Sequence, residues 1–335
     1  MGKIADYLVL LRFPGLGGLA IPPVIAAMTV GTFDMFSLVL LFLVGAYSSI
    51  YGFVLNDFMD IEVDKKSKDL KDRPLVSGAI SKQAALWICF ASIMLTFVTF
   101  FILFYGEMIT FFRFLSVFCI LIAWILGSIY DIYGKKILGS DVLVAFSISL
   151  IFLIGAFAVN KEPTLFTWII FLLTFNNLFH MNAIEGGIKD ADHDVLMNVN
   201  NIALRSGVHV ENNSLFIPNR FKILGMGLRI SSIILLFIPF VLFNQPFFIW
   251  QIVFLIIVSI LVLYFSLKLL SLKEFNRRII RKNISIQSFL RYSLVPIMLL
   301  SIIDLVPAII LILFPFCWYL FFTPLTGVKL LQPRM

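Results

Sequence analysis

The chain has 335 residues, of which 61% are hydrophobic and only 13% are charged, and its mean hydropathy is +1.02. A water-soluble domain is typically about 45–50% apolar and about 25% charged, so this composition excludes a water-exposed globular protein. The net charge of +7 comes from Lys and Arg residues that lie mainly between apolar segments, which indicates membrane topology and not nucleic-acid binding. We therefore predict an all-α polytopic membrane protein, because helices satisfy their own backbone hydrogen bonds in lipid.

Apolar segments long enough to cross a bilayer recur along the whole chain, since about 20 residues of helix span the hydrocarbon core. We predict nine transmembrane helices, at about 8–30, 36–56, 84–105, 109–130, 141–159, 163–184, 222–243, 246–270 and 292–323. The last segment carries Asp304, Pro307 and Pro315. We expect a bend or a break there, because proline removes a helix hydrogen bond.

The connections between these segments alternate in charge. Those after the second, fourth, sixth and eighth segments hold Lys65, Lys66, Lys68, Lys71, Arg73, Lys82, Lys135, Lys136, Lys189, Arg205, Arg220, Lys222, Lys273, Arg277, Arg278, Arg281 and Lys282. The positive-inside rule places these connections and the N-terminus, with Lys3 and Arg12, on the cytoplasmic side. Nine helices then place Lys329 and Arg334 outside. We expect an integral, multi-pass protein of the cell membrane.

The order of segments and connections is similar in the two halves of the chain. A span, a short outer turn, a second span and an acidic cytoplasmic connection occur in each half. We therefore predict one domain over 1–335, with a pseudo-repeat over about 8–140 and 141–290 and a last helix at 292–323.

A first acidic cluster follows the second span, in the sequence NDFMDIEVD at 56–64. Asp57, Asp60 and Asp64 are spaced i, i+3, i+7, which brings all three onto one face of a helix, and Asn56 flanks them. Clustered carboxylates repel one another unless a cation neutralises them. Oxygen ligands of this kind suit Mg²⁺, which uses one or two carboxylates together with substrate phosphates.

A second acidic cluster follows the sixth span, in EGGIKDADHD at 185–194. Asp190 and Asp194 are spaced i, i+4 and share a face, whereas Asp192 lies on another face. Two such carboxylate faces can hold two Mg²⁺ ions with a diphosphate between them. Basic side chains suited to the remaining phosphate oxygens are nearby: Arg73, Lys135, Lys136 and Lys189.

These residues resemble the signature of the UbiA-type intramembrane prenyltransferases. The sequence NDxxDxxxD is followed by Arg73, Pro74, Ser77 and Gly78, a Tyr and a Lys follow the fourth span (Tyr130, Lys135), and a DxxxD follows the sixth (Asp190, Asp194). The resemblance implies a nine-helix bundle in which both Asp-rich motifs bind a prenyl diphosphate through Mg²⁺. It also implies an apolar tunnel for the isoprenoid chain, open to lipid.

The resemblance predicts transfer of a prenyl group from an allylic diphosphate to a lipophilic acceptor. In this reading Asp57, Asp60, Asp64, Asp190 and Asp194 bind metal, and Asp190 or Asp194 orients or deprotonates the acceptor. Diphosphate is bound by Asn56, Arg73, Tyr130, Lys135, Lys136 and Lys189. Tyr130 is equally well explained as an interfacial tyrosine. The acceptor is either an aromatic quinone precursor or a prenylglyceryl phosphate, and the sequence does not decide between them.

Two other functions compete with this one. A CDP-alcohol phosphotransferase also uses Asp-rich helices and metal, but it gathers all its Asp residues in one stretch, whereas the two clusters here lie far apart in the chain. A transporter of a phosphorylated or cationic solute would place its site near the bilayer midplane on broken helices. The clusters here lie at one interface, which favours the prenyltransferase.

Overall fold

We analysed a computed structural model, which describes residues 3–65 and 70–327. Lys66, Lys68, Lys329 and Arg334, which entered the topology prediction, lie outside the described residues. The chain divides into two compact units. Of the described residues, unit 1 comprises 3–65, 70–132, 150–167 and 314–327, and unit 2 comprises 133–149 and 168–313.

The expected all-α membrane fold is confirmed. Within the described residues, eight helical segments are long and apolar enough to cross a membrane: Ile4–Thr29, Met35–Met59, Lys82–Leu103, Phe111–Tyr133, Asp141–Ala158, Asn219–Leu242, Ile249–Leu270 and Leu305–Thr326. The predicted span at 163–184 is a shorter helix, Leu165–Phe179, that continues into a π-helix over His180–Gly186. The nine predicted spans are therefore close to the observed number.

The first span is interrupted twice. It consists of α1 (Ile4–Leu10), α2 (Phe13–Leu19) and α3 (Pro22–Thr29). Arg12, between α1 and α2, has a left-handed backbone with φ 47°. This conformation is uncommon for residues other than glycine, and it interrupts a right-handed helix. The second break precedes Pro22, whose ring favours the first position of a new helix.

Longer helices follow in unit 1. α4 (Met35–Met59) begins at Asp34, whose carboxylate accepts hydrogen bonds from the backbone N–H groups of Phe36 and Ser37, as an N-cap residue does. One residue, Asp60, separates α4 from the short α5 (Ile61–Asp64). The next helices are α6 (Lys82–Leu103), α7 (Phe111–Tyr133) and α8 (Asp141–Ala158). The last turns of α8 lie in unit 1.

Unit 2 contains most of the remaining helical residues and a hairpin. After α9 (Leu165–Phe179) and the π-helix come α10 (Gly187–Lys189), α11 (Ala191–Asp194), a 3₁₀ turn and α12 (Ile202–Arg205). Strands β1 (His209–Glu211) and β2 (Ser214–Phe216) pair antiparallel, with His209 opposite Phe216. Asn212 and Asn213 form the turn with positive φ angles, which asparagine tolerates well.

Three further long helices follow in unit 2: α13 (Asn219–Leu242), α14 (Ile249–Leu270) and α15 (Arg277–Met298). Side chains that include Ile184, Phe221, Leu270 and Ile280 form a buried apolar core around the segment that carries the second acidic cluster. The expected break in the last segment is found at Asp304, which has φ 64°. This residue separates α16 (Leu300–Ile303) from α17 (Leu305–Phe322).

Glycines allow backbones to approach closely within unit 1. A Cβ atom on Gly155 of α8 would overlap the backbone carbonyl oxygen of Pro23, whereas one on Gly52 of α4 would meet no atom within 4 Å. Small residues at helix contacts are characteristic of membrane proteins, where association depends on close packing. We therefore expect Gly155→Ala to destabilise the protein by about 1–3 kcal/mol, because backbone must shift to admit the methyl group.

The comparison with Gly52→Ala controls for the change in helix propensity. This variant is expected to unfold at the parent temperature or slightly above it, since alanine favours helix over glycine. Thermal unfolding in detergent measures the difference between the midpoints of the two variants. Equal midpoints for Gly155→Ala and Gly52→Ala would contradict the close contact.

Candidate active site

The first acidic cluster lies where α4 passes into α5. Asp60, between the two helices, keeps a right-handed helical backbone (φ −87°, ψ −2°), so the rotation of α4 continues into α5. Asp57 and Asp64 are both buried. Their carboxylates are joined by Arg73, whose Nη1 lies 2.6 Å from Asp64 Oδ2 and 3.3 Å from Asp57 Oδ1. One guanidinium group therefore contacts two of the three predicted aspartates, in agreement with a shared helical face.

A second arginine contributes to the charge balance of this cluster. Arg12 Nη2 lies 2.8 Å from Asp57 Oδ1, and the guanidinium group lies 4.8 Å from the centre of the Phe53 ring. The sequence analysis used Arg12 only as a topology signal. Its role at the cluster depends on the break between α1 and α2, which the sequence pattern did not place.

Asn56 and Asp131 extend the cluster. Asn56 Nδ2 donates a hydrogen bond to Asp131 Oδ1 at 3.2 Å, and the Asp131 carboxyl also interacts electrostatically with Asp57 and Asp60. Sequence reasoning missed Asp131, although a carboxyl group in an apolar helix is a functional signal.

This part of unit 1 is rich in anionic groups. Within the described residues, it brings the carboxyl groups of Asp57, Asp60, Asp64 and Asp131 together with the guanidinium groups of Arg12 and Arg73. Carboxylates gathered in this way favour the binding of a divalent cation.

The donor set fits Mg²⁺. Carboxylate oxygens are its preferred protein ligands, and Mg²⁺ usually completes its octahedron with water and substrate phosphate oxygens. Within residues 3–65 and 70–327, no group of three or more His, Cys, Asp or Glu side chains is arranged to hold a metal ion by itself, so an ion bound here would also need phosphate and water oxygens. The residues that would hold the ion here are Asp57, Asp60 and Asp64.

The second acidic cluster lies on α10 and α11. Lys189 Nζ is 3.3 Å from Asp190 Oδ2. Asp194 is buried and accepts a hydrogen bond from Asn201 Nδ2 at 2.8 Å. Asp190 and Lys189 also act electrostatically on Asp194.

The loop after α7 is tied to this cluster. The backbone N–H of Asn200 donates to the carbonyl oxygen of Lys135 at 2.8 Å, and Asn200 Nδ2 donates to that of Lys136 at 3.2 Å. The Lys135 charge acts on Asp194, whereas the Lys136 side chain is exposed. Unit 2 thus brings Lys135, a predicted diphosphate ligand, to the aspartates.

Asp192 lies apart from this group, as its helical position predicts. Its carboxylate accepts a hydrogen bond from Arg277 Nη2 at 2.6 Å and lies 3.3 Å from His193 Nδ1. Tyr130, the remaining predicted site residue, is partly buried near the end of α7 in unit 1.

The ionisation of Asp194 predicts a pH-dependent stability. Burial, together with the carboxylate of Asp190, raises the pKa of Asp194 to about 6, against the opposing effects of His193, Lys135 and Lys189. The ordinary value is 3.8, so the folded state binds this proton more tightly than the unfolded state. Stability contributed by Asp194 therefore falls as pH rises from about 4 to about 6, by roughly 3 kcal/mol in total.

Asp194→Asn removes the buried carboxylate, so its ionisation no longer destabilises the folded state above about pH 6. In EDTA we therefore expect the variant to melt above the parent at pH 7.5 and not at pH 4.5. Added Mg²⁺ is expected to raise the midpoint of the parent more than that of Asp194→Asn, because the first cluster can still bind Mg²⁺ in the variant. Asp192→Asn serves as the control: against burial, His193 and Arg277 hold the pKa of Asp192 below its usual value, so its loss should lower the midpoint at pH 7.5. Parallel pH profiles for parent and Asp194→Asn would contradict this prediction.

The chain resembles the 4-hydroxybenzoate octaprenyltransferase of Blochmanniella floridana, with 28% identity over 161 residues. The aligned region covers 47% of this chain and 52% of that relative, so the chain spans about half the length of the curated relative.

Solved structures share the fold over more of the chain. A structure described as digeranylgeranylglyceryl phosphate synthase has a TM-score of 0.62 and 21% identity, with 90% of this chain and 98% of that chain covered. A UbiA homologue from Archaeoglobus fulgidus, bound to GPP and Mg²⁺, has a TM-score of 0.60 and 19% identity, with 90% and 100% covered. At these identities the likeness concerns the fold.

The family comparison covers most of the chain and both acidic clusters. The sequence model of the UbiA prenyltransferase family matches residues 20–289. This range includes every predicted site residue, from Asn56 to Asp194. The chain belongs to the UbiA prenyltransferase family.

Proposed function

We propose that the protein transfers a prenyl group from an allylic prenyl diphosphate to a lipophilic acceptor, in a Mg²⁺-dependent reaction that releases diphosphate. The observation that carries the proposal is the pair of carboxylate clusters, each accompanied by basic side chains, within the part of the chain that matches the prenyltransferase family. The related structure with bound GPP and Mg²⁺ supports the donor and the metal.

Each cluster offers carboxylates and basic side chains suited to a diphosphate that is bound through Mg²⁺. Mg²⁺, when bound, offsets the charge that develops on the departing diphosphate. Arg73 contributes a guanidinium group suited to bidentate contact with phosphate oxygens. It exchanges part of its contact with Asp57 and Asp64 for the phosphate. Lys135 and Lys189 act at the second cluster as compact positive charges, with Asn56, Tyr130 and Lys136 as further polar partners.

The reaction breaks the C1–O bond of the allylic diphosphate and forms a bond between C1 and the acceptor. The bond-forming electron pair comes from the acceptor, which then loses a proton, and the C1–O pair leaves with diphosphate. Asp190 or Asp194 orients the acceptor or takes that proton. A buried carboxyl group whose pKa is about 6 is suited to accept a proton near neutral pH. The apolar helices exclude water from the carbocation-like C1.

The acceptor is either an aromatic quinone precursor or a prenylglyceryl phosphate. The name of the Blochmanniella relative supports the first, and that of the solved synthase supports the second. The positive-inside pattern supports a cell-membrane location with both clusters facing the cytoplasm.

An assay with both acceptors tests this proposal. Purified protein in lipid vesicles receives labelled geranylgeranyl diphosphate with Mg²⁺ and either 4-hydroxybenzoate or geranylgeranylglyceryl phosphate, and products are identified by mass spectrometry. We expect one prenylated product, formed with one acceptor in clear preference to the other. Failure to form product with either acceptor, across donors of several chain lengths, would contradict the proposal.

A further inference from the structure

Two exposed arginines lie at the start of α13, in unit 2. Arg220 is in the first turn of α13, and Arg205 is the last residue of α12. Arg220 Nε donates a hydrogen bond to the carbonyl oxygen of Ser206 at 2.8 Å, and its Nη2 donates to that of Arg205 at 3.3 Å. The Arg220 guanidinium group therefore lies against the backbone from which the Arg205 side chain extends.

Neither arginine is paired with a carboxylate in the described part of the chain. The hydrogen bonds of Arg220 go to backbone carbonyl oxygens, and Arg205 Nε donates to the neutral Asn200 Oδ1 at 2.9 Å. A guanidinium group has five N–H donors, so both side chains keep donors for a further acceptor. Two such groups at one exposed place are suited to a phosphate.

Arg220 begins an exposed stripe of α13. The apolar residues Ile223, Ile230, Ile234 and Val241 are all exposed. At about 100° per residue, these four positions and Arg220 fall within about 80° of one another around the helix. Because α13 is long and apolar enough to cross a membrane, the stripe faces lipid.

The length of this stripe places Arg220 at the level of the lipid headgroups. A helical rise of about 1.5 Å per residue separates Ile223 from Val241 by about 27 Å, close to the thickness of a hydrocarbon core of about 30 Å. Arg220 lies nearly one turn beyond Ile223, outside the hydrocarbon. Basic side chains at this level attract anionic lipids.

We propose that Arg205 and Arg220 bind the headgroup of an anionic phospholipid. The headgroup phosphate accepts hydrogen bonds from the guanidinium groups, and the acyl chains lie along the apolar stripe of α13. The charge of the two arginines and the continuity of Arg220 with the lipid-facing stripe favour this ligand. The site is separate from the residues proposed to bind diphosphate, and lipid binding does not depend on the transfer reaction.

This site adjoins the loop that holds the second acidic cluster. Asn200, whose Oδ1 accepts from Arg205, donates through its backbone N–H to the carbonyl oxygen of Lys135 at 2.8 Å. The next residue, Asn201, donates to Asp194 Oδ2 at 2.8 Å. A headgroup bound to Arg205 should therefore stabilise residues 200–207 against local opening.

Thermal unfolding with two lipids tests the proposal. The full-length protein, purified in a neutral detergent, is heated with phosphatidylglycerol or with phosphatidylcholine of the same acyl chains. We expect the midpoint to rise by about 2–3 °C for each tenfold increase in phosphatidylglycerol above its dissociation constant, and by less in phosphatidylcholine. Inorganic phosphate at the same concentration should not raise it, because it lacks acyl chains. Equal midpoints in the two lipids, or an equal rise in inorganic phosphate, would overturn the proposal.

A pair of double variants with the same change of charge locates the site. Arg205→Gln with Arg220→Gln removes both guanidinium groups, and we expect the affinity for phosphatidylglycerol to fall by about 30-fold. Lys273→Gln with Arg278→Gln removes two positive charges from exposed positions before and within the first turn of α15, and it should keep the parent affinity within a few-fold. Equal affinities for the two double variants would assign the effect to net charge and not to this site.

Hydrogen exchange of the parent protein gives a second measurement, which decides if the arginine double variant does not fold. In lipid nanodiscs, we expect the backbone amides of residues 200–207 to exchange more slowly with phosphatidylglycerol than with phosphatidylcholine. The turn between β1 and β2, at Asn212 and Asn213, serves as the comparison and should exchange equally in both. Unchanged exchange over 200–207 would overturn the site.

Discussion

Asp60→Asn and Asp190→Asn are each expected to lower the rate of prenyl transfer by about 10²–10³-fold. Each change removes one negative charge from a proposed metal-binding cluster while keeping the shape of the side chain, and the loss of one electrostatic contact to the transition state typically has an effect of this size. Both side chains are partly exposed, so the variants should fold. The rate is measured with labelled geranylgeranyl diphosphate at saturating Mg²⁺.

Matched acidic residues beside each cluster provide the controls. Glu62 lies between Asp60 and Asp64, but 71% of its side chain is exposed and it pairs with Lys65. Asp192 contacts Arg277 and His193. Glu62→Gln and Asp192→Asn should retain transfer within a few-fold of the parent. Undiminished transfer by both Asp60→Asn and Asp190→Asn would refute the site assignment.

Glu185→Gln is expected to lower the free energy of unfolding by about 3–5 kcal/mol. Breaking a buried ion pair by neutralising one partner leaves an uncompensated buried charge, and here the guanidinium groups of Arg229 and Arg291 would lose the carboxylate that both contact. The effect is measured as a lower denaturation midpoint in detergent. Because the π-helix leads directly into Asp190 and Asp194, we expect the region around the second cluster to unfold first.

An exposed glutamate in the same unit serves as the comparison. Glu211, on β1, is exposed, and Glu211→Gln should change the midpoint little. A Glu185→Gln variant as stable as Glu211→Gln would show that the buried ion pairs do not contribute to stability.

The length of the apolar segments predicted the fold, because a run of about 20 hydrophobic residues has few alternatives to a membrane-spanning helix. Asp304, Pro307 and Pro315 also predicted a break in the last apolar segment, and the break occurs at Asp304. The interruption at Arg12 and the π-helix over His180–Gly186 were not predicted. The sequence did hold signals for both: Pro14 and Gly15 follow Arg12, and the π-helix ends at Gly186, which Gly187 follows, residue types that commonly interrupt a helix.

Local spacing also predicted part of the candidate site. The i, i+3, i+7 pattern placed Asp57 and Asp64 on one face, where Arg73 contacts both. The pairing of Arg12 with Asp57 joins residues 45 positions apart, and no local pattern reports such a contact. Arg229 was also missed, although a charged residue within an apolar segment is itself a signal.

Coupled measurement of diphosphate release and lipid prenylation tests the central claim most directly. Purified protein in vesicles is supplied with labelled prenyl diphosphate and acceptor, first with Mg²⁺, then with excess EDTA, then with Mg²⁺ restored. We predict one diphosphate released for each prenylated lipid formed, loss of both in EDTA, and recovery of both with Mg²⁺. Accumulation of label inside the vesicles without a prenylated product, or product formation that EDTA does not change, would contradict it.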